Sequence, residues 1–572
     1  MKPPLSRLRA AWYGFAVLLA VFTYFYDLGG RHIPTNGDEY PYAQITRLTA
    51  ASGQLLPLQS RLDHMRNTKP PLLFWQGIAS THSGEHWTLW DLRYPSVIYT
   101  LLTASLVFVL ARKLSGRWET GALAALVYVA FYNTYRYGRP FLTDPAEVFW
   151  LFVPCFVLLY WRSTAFESRL AAPLLLGLAI GVGLLYKSFA LLLPVGLALS
   201  CWYLGYRDYR VPVFVRRDVA KLAIIAVVSL GVFGLWFWLD PDPRAVWQEF
   251  VVGENVGKME PAEGSYISKL LWGGSSVWSL AFALLMNAGL LAFPIVALIY
   301  LAYRGRRELT VEEKFLWIWV IALFVAFSLP SQRSGRYLLP AMPALAVLCA
   351  LSWDRINRTA LVASVVVAGA LIALIAWLSV RLQQAMSGVQ LYPPGYWVLL
   401  ASTSLLVLLS LALPSLTRPT VSVVAILFLL SLAVFLGPFD GPLGSYSASA
   451  REYAQGKQVW VPCNFRAKEE GHRFLLPGAE IHSYRDDPGL AVADLAARYP
   501  LFAAQVPLDA APSCAECEVI GERLEIRGRH SSEEIKQMLR GNVLPHLFVK
   551  EVLFESRQAS PPAAPPRVEA CG

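Results

Sequence analysis

Thirteen apolar runs, each close to the length that crosses a bilayer, partition most of this 572-residue chain. A spanning helix needs about 20 mostly apolar residues. The runs are 11–28, 93–111, 118–135, 145–162, 170–186, 188–205, 220–239, 275–303, 315–330, 337–352, 360–380, 395–413 and 419–437, with only Lys187 and Ser188 dividing the fifth from the sixth. Hydrophobic residues make up 55% of the chain and charged residues 16%, where about 25% charged is usual for soluble proteins. That excludes a string of water-soluble domains, a disordered chain and a disulfide-rich secreted scaffold. The fold class read here is a polytopic α-helical membrane protein of about thirteen transmembrane helices. The first run follows Lys2, Arg7 and Arg9. It resembles a signal peptide but is long and aromatic, with no small-residue cleavage site after it, and reads as a retained anchor.

Loop charges give an orientation. With the N-terminus in the cytoplasm, twenty Lys and Arg fall in inside segments, among them Arg112, Lys113, Arg207, Arg216, Arg304, Arg307 and Arg418. The short outside loops hold six: Arg136, Arg139, Lys187, Arg333, Arg336 and Arg381. That bias follows the positive-inside rule and accounts for the net charge of +10 without nucleic acid as a partner. No zinc-finger spacing or basic tract points to one. An odd number of spans leaves the chain's end outside. The domains expected are 1–437, membrane-embedded with long outside loops at 29–92 and 240–274, and 438–572, a soluble extracytoplasmic tail opening on the hinge Gly437-Pro438-Phe439-Asp440-Gly441-Pro442.

Within the tail, 458–462 and 480–484 have strand patterns and 489–499 a helical one, so a small α/β or α+β domain is expected. Its end, Pro561 to Gly572, is Pro/Ala-rich and reads as disordered. Cys514 and Cys517 are spaced for a local disulfide in an oxidising compartment, with a reduced pair or a metal site as alternatives. Cys155, Cys201 and Cys349 lie inside apolar runs as core residues. His472, His482 and His546 are scattered and read as surface histidines.

The chemistry-bearing residues gather at the outer ends of spans. Asn36-Gly37-Asp38-Glu39-Tyr40 follows the first run, and Asn67-Thr68-Lys69-Pro70-Pro71-Leu72-Leu73-Phe74-Trp75 comes later in the same loop. Between them Tyr42, Ile45, Leu48 and Thr49 recur at helical spacing, as in an amphipathic helix lying in the interface. Thr143-Asp144-Pro145 opens the fourth run. Lys187, the Glu254-Asn255 pair with Lys258, and Ser334-Gly335-Arg336-Tyr337 share that side. Helix caps and snorkelling lysines are the structural alternative. Carboxylates at Asp38, Glu39 and Asp144 suit proton abstraction. Cations at Lys69, Lys187 and Arg336 suit a phosphate that gains charge as it leaves.

These residues carry a resemblance. Gly37-Asp38-Glu39…Tyr42…Gly53…Pro57…Lys69-Pro70-Pro71-Leu72-Leu73-Phe74-Trp75 resembles the first periplasmic loop of the lipid A 4-amino-4-deoxy-L-arabinose transferases. It is also similar to the protein O-mannosyltransferases. Thr143-Asp144, Gly183-Leu184-Leu185-Tyr186-Lys187, Glu254-Asn255, Arg336-Tyr337-Leu338-Leu339-Pro340-Ala341-Met342-Pro343 and Phe474-Leu475-Leu476-Pro477-Gly478-Ala479 extend it over most of the chain.

The resemblance implies a GT-C fold with thirteen spans in a bacterial inner membrane and a periplasmic tail. It implies an inverting glycosyltransferase using a sugar on polyprenyl monophosphate (undecaprenyl in bacteria), with a lipid, glycan or protein as acceptor. Asp38 takes the catalytic acidic place with Glu39 beside it, and Asp144 the second. Lys69 and Arg336 hold the donor phosphate, with Tyr337 and Lys187 nearby. Thr68 stands where the arabinose-transferase branch has a metal-binding glutamate, and Lys258 where relatives often have arginine. The arabinose-transferase branch would bring a possible divalent metal and lipid A modification, and Thr68 is the departure that bears on both.

Two other classes compete. A transporter or flippase of a lipid-linked sugar would use the same charges to bind a head group, but transporters place them at mid-membrane and show internal repeats; neither is found here. A sensor would bind its ligand in the tail.

Overall fold

The computed structural model describes residues 4–34, 37–62, 65–257, 266–272, 275–386, 388–485, 490–508, 514–527 and 530–559. Asn36, Lys258 and the Pro561–Gly572 end lie outside them.

All thirteen apolar runs are helical. Among the described residues, eight helices are long and apolar enough to cross a membrane: Arg7–Phe25, Leu89–Ser115, Phe189–Tyr206, Val219–Leu239, Val277–Arg304, Arg358–Ala385, Pro394–Ala412 and Pro414–Asp440. Trp118–Ala130, Ala171–Tyr186 and Gly335–Leu351 are apolar but shorter. The run at 118–135 is shortened because Phe131 is extended (φ −63°, ψ 127°), and the chain re-enters helix at Tyr132–Gly138. Asp144–Tyr160 and Val311–Ser328 carry acidic residues in their first turns. Eight spans thus stand on length and composition, and the expected thirteen needs the shorter helices too.

Where helices meet, small residues let them approach. Helix Ala171–Tyr186 packs along Val219–Leu239 through Gly177 and Gly181, a small-xxx-small spacing that suits close helix contact in lipid. A Cβ on Gly181 would lie 2.6 Å from Val232 Cβ, and the Ser229 hydroxyl donates to the Gly177 carbonyl at 3.1 Å.

The loop at 29–92 is ordered by two helices, Glu39–Ala51 and Leu72–Ser80. The stripe Tyr42, Ile45 and Thr49 is buried, as an amphipathic helix requires. Its partners are Leu58, Leu73, Phe74 and Phe141 rather than lipid. The opposite, more polar stripe is covered by the tail.

The last apolar helix runs through Pro438 to Asp440, so the chain turns after the expected hinge begins. Beyond it stands a five-stranded mixed sheet: β1 Gln458–Cys463, β2 Glu480–Arg485, β3 Leu501–Val506, β4 Cys517–Ile526 and β5 Phe548–Ser556, in the order β2-β1-β3-β5-β4. The β2-β1-β3 pairings are parallel and the two to β5 antiparallel. Alternation puts Val459, Val461, Leu501 and Ala503 in one apolar cluster and Trp460, Phe502 and Ala504 in another, so both faces are covered. Cys514 and Cys517 form a disulfide. Cys155 and Cys349 are buried free thiols, and Cys201 is half-buried.

His472 is not at the surface. It is 1% exposed, and its Nε2 contacts the buried Glu551 at 3.1 Å, which Arg523 Nε also reaches at 2.7 Å. Burial alone would raise the Glu551 carboxyl. His472 and Arg523 beside it outweigh that and hold the group well below the usual carboxylate range.

Candidate active site

Helix ends deliver the charged residues to one place. Asp38 stands at the N-cap position of the loop helix Glu39–Ala51, and Asp144 opens the helix Asp144–Tyr160 with Pro145 behind it. Lys187 sits at the C-terminal cap of Ala171–Tyr186, where a cation meets the negative end of the helix dipole. Arg336 lies in the 3₁₀ turn Gly335–Ala341, which Ser334 caps. Asn287 donates to the Gly335 carbonyl at 3.0 Å and is itself contacted by Asn133, which fixes that turn.

Arg336 is the centre. Its Nε donates to both Asp144 oxygens at 2.9 and 2.7 Å, and its Nη1 to Asp38 Oδ2 at 2.6 Å. The Tyr137 ring lies 5.4 Å from the guanidinium carbon. Lys187 Nζ donates to Asp144 Oδ1 at 2.9 Å and to Glu147 Oε2 at 2.5 Å, 5.7 Å from the Tyr337 ring centre. Asp38, Arg336, Asp144, Lys187 and Glu147 thus form a chain of alternating charge. Asp144 and Glu147 are buried, whereas the Asp38 side chain is 46% exposed. Removing one partner from such a buried chain leaves an uncompensated charge.

The open end of this chain faces a cavity of about 390 Å³, within the range of small-molecule sites. Asp38, Lys69, Lys187, Arg336 and Tyr337 line it, with Tyr42, Thr68, Glu254 and Asn255. Phe327, Pro330 and Leu191 supply apolar wall. Lys69 donates to the Thr68 carbonyl at 2.9 Å and pairs with Glu254. Glu254 and Asn255 lie on the π-helix Trp247–Val256, a rare conformation often found at functional sites.

Glu39 departs from its expected place. It turns from the cavity into a bidentate pair with the fully buried Arg93, at 2.7 and 2.8 Å, and accepts from the Phe141 amide at 2.8 Å. Its neighbours give it a structural task, bracing the loop against the membrane helices. Glu147 was missed because it lies within an apolar run. The available signal was its spacing of three from Asp144, which puts both carboxylates on one face of the same helix turn.

The shape of the chain can be compared with solved proteins. Over 96% of its length it matches ArnT from Cupriavidus metallidurans bound to undecaprenyl phosphate, covering 99% of that chain with a TM-score of 0.62 at 18% identity. The fold is GT-C. The same ArnT in the apo state gives a TM-score of 0.59. Residues 13–242 match the family model described as dolichyl-phosphate-mannose-protein mannosyltransferase.

Among curated relatives, an undecaprenyl phosphate-alpha-4-amino-4-deoxy-L-arabinose arabinosyl transferase from Proteus mirabilis is 27% identical over 350 residues. One from Sodalis glossinidius is 29% identical over 343 residues. Each match covers 59% of this chain and 58% of the relative, so less than two thirds of their length is spanned. The chain resembles both branches of GT-C enzymes.

Proposed function

We propose that this chain is a membrane glycosyltransferase that moves a sugar from a polyprenyl-phosphate donor to an acceptor on the extracytoplasmic side, with inversion. The observation that carries the reading is Arg336, bridging Asp38 and Asp144 on the wall of the cavity that Lys69 also lines. Relatives named as undecaprenyl phosphate-aminoarabinose transferases and an ArnT structure holding undecaprenyl phosphate support the donor class.

In the step proposed, an acceptor oxygen attacks the anomeric carbon as the bond from that carbon to the phosphate oxygen breaks on the opposite face. The acceptor proton passes to the Asp38 carboxylate. Polyprenyl phosphate departs with one more negative charge than the bound diester carried, and Lys69 and Arg336 stabilise that added charge more than the ground state. Donor phosphate would take Nη1 of Arg336 from Asp38, leaving the carboxylate facing the acceptor. Asp144 keeps the guanidinium oriented. The apolar wall at Leu191, Phe327 and Pro330 would receive the start of the isoprenoid.

The metal of the arabinose-transferase branch does not fit here. Thr68 supplies a hydroxyl where that branch has a carboxylate, and no group of three metal-ligating side chains lies among the described residues.

The membrane placement proposed is a bacterial inner membrane, with the N-terminus cytoplasmic and the sheet periplasmic. Trp238, Trp247, Trp272 and Trp278 stand exposed on either side of Glu254 along the chain, as an interfacial belt would have them. Asp38→Asn keeps size and removes the base. It is expected to lower transfer by about 10²–10⁴-fold in a membrane assay read by mass spectrometry of donor and product. Full transfer by that variant rejects the assignment. An unchanged lipid-linked sugar crossing the membrane in the wild type points instead to a flippase.

A further inference from the structure

The helix that follows Asp38 is gripped from outside the membrane. Along Glu39–Ala51 one stripe, Tyr42, Ile45 and Thr49, is packed into the loop core, and a second stripe, Tyr40, Gln44 and Arg47, meets the tail helix Lys468–Leu475. Arg47 makes a bidentate pair with Glu470, Nε to Oε1 and Nη2 to Oε2, both at 2.8 Å, and the Glu470 side chain is fully buried. Gln44 Nε2 donates to Glu469 Oε1 at 2.6 Å. Phe474 stacks on Trp87 at 6.1 Å and on Tyr40 at 6.4 Å between ring centres. The two helices approach so closely that a Cβ on Gly471 would lie 3.2 Å from the Tyr40 ring.

Bidentate arginine pairs are directional as well as strong. This one fixes both the rotation and the axial position of a 13-residue helix whose first turn presents Asp38. A shift of about 1 Å in a reacting group can cost about 100-fold in rate.

We propose that the tail helix is a positioning clamp for the loop helix, with the Arg47–Glu470 pair as its lock, so that the tail sets where Asp38 stands in the cavity. Phe474 is the apolar half of the clamp, which gives the Phe474–Ala479 motif a task. Arg47 and Glu470 are positioning residues: neither lines the cavity. The proposal rests on the transferase reading only for its kinetic consequence.

The test uses full-length protein in native-lipid membranes. Arg47→Glu and Glu470→Arg are each expected to lower kcat by about 10- to 100-fold with donor KM changed less than about two-fold, and the double reversal to recover most of the loss. A second, assay-independent measurement is amide hydrogen exchange over residues 39–51. It is expected to accelerate in each single variant and to return toward wild type in the double. If a charge reversal misfolds, Arg47→Met and Phe474→Ala are expected to give the same acceleration in exchange. Unchanged exchange in all variants overturns the clamp whatever the activity. Faster exchange with wild-type kcat overturns its role in setting Asp38. Faster exchange in a protein whose wild type transfers no sugar leaves the clamp standing and rejects the transferase reading instead.

Discussion

Lys187 shows what one side chain does inside a buried charge chain. It stands between Asp144 and Glu147, and removing it leaves two carboxylates three residues apart with little water to solvate them. Lys187→Met is expected to cost about 3–5 kcal/mol, the usual effect of breaking a buried pair from one side. Asp144 keeps Arg336, so adding Glu147→Gln removes the stranded charge and is expected to restore part of the loss. Thermal denaturation of the purified protein in detergent checks both. Equal midpoints for the single and double variants would show that Glu147 does not act through Lys187. Asp38, Asp144, Lys69, Lys187 and Arg336 were readable because charge at the end of an apolar run stands out. Glu147 was not, since it was absorbed into a run, and Arg93 was not, because its partner Glu39 lies 54 residues away in sequence. His472 was misplaced because its partner Glu551 lies 79 residues away in sequence, and periodicity carries no information about such pairs.

Among the elements, the Gly177–Gly181 face makes the sharpest prediction. Gly181→Leu would drive a side chain into Val232 and push Ala171–Tyr186 away from Val219–Leu239. Overpacking of this kind costs about 1–3 kcal/mol. Gly196→Leu, at a helix position with nothing within 4 Å, is the control expected to change little. The comparison is of folded yield and melting midpoint in the same detergent. Existence of the helices was legible because twenty apolar residues have few other ways to satisfy their backbone in lipid. The breaks at Phe131 and Gly289 were not, because hydropathy is blind to φ. Gly289, at φ +59°, interrupts the 275–303 run without lowering its apolar content. Sequence gives no sign that a distant helix covers Tyr40, Gln44 and Arg47.

At the scale of the molecule, two predictions concern sidedness and acid. A cysteine placed at the exposed Ser83 is expected to react with a membrane-impermeant maleimide from the periplasmic side of intact spheroplasts. One at the exposed Glu308 should react only after the membrane is opened. The reverse pattern would turn the proposed topology over.

The tail sheet should weaken in acid. Glu551 is held below its unfolded value near 4.5, so its contribution is present above that pH and is lost as pH falls through the folded value. Hydrogen exchange in β1 and β5, corrected for intrinsic rate, is expected to accelerate below about pH 4.5. Glu551→Gln should flatten that dependence. The sheet itself was legible from two strand-like runs, but its seat against the first loop was not, because that contact joins segments more than 400 residues apart.

Arg336 has a consequence for how the chain is made. It follows Asp38 by 298 positions and Asp144 by 192. Both carboxylates leave the ribosome long before the guanidinium that neutralises them. Until translation passes the turn at Gly335, Asp38 lacks that counter-ion and Asp144 has only Lys187, which is made 43 residues after it.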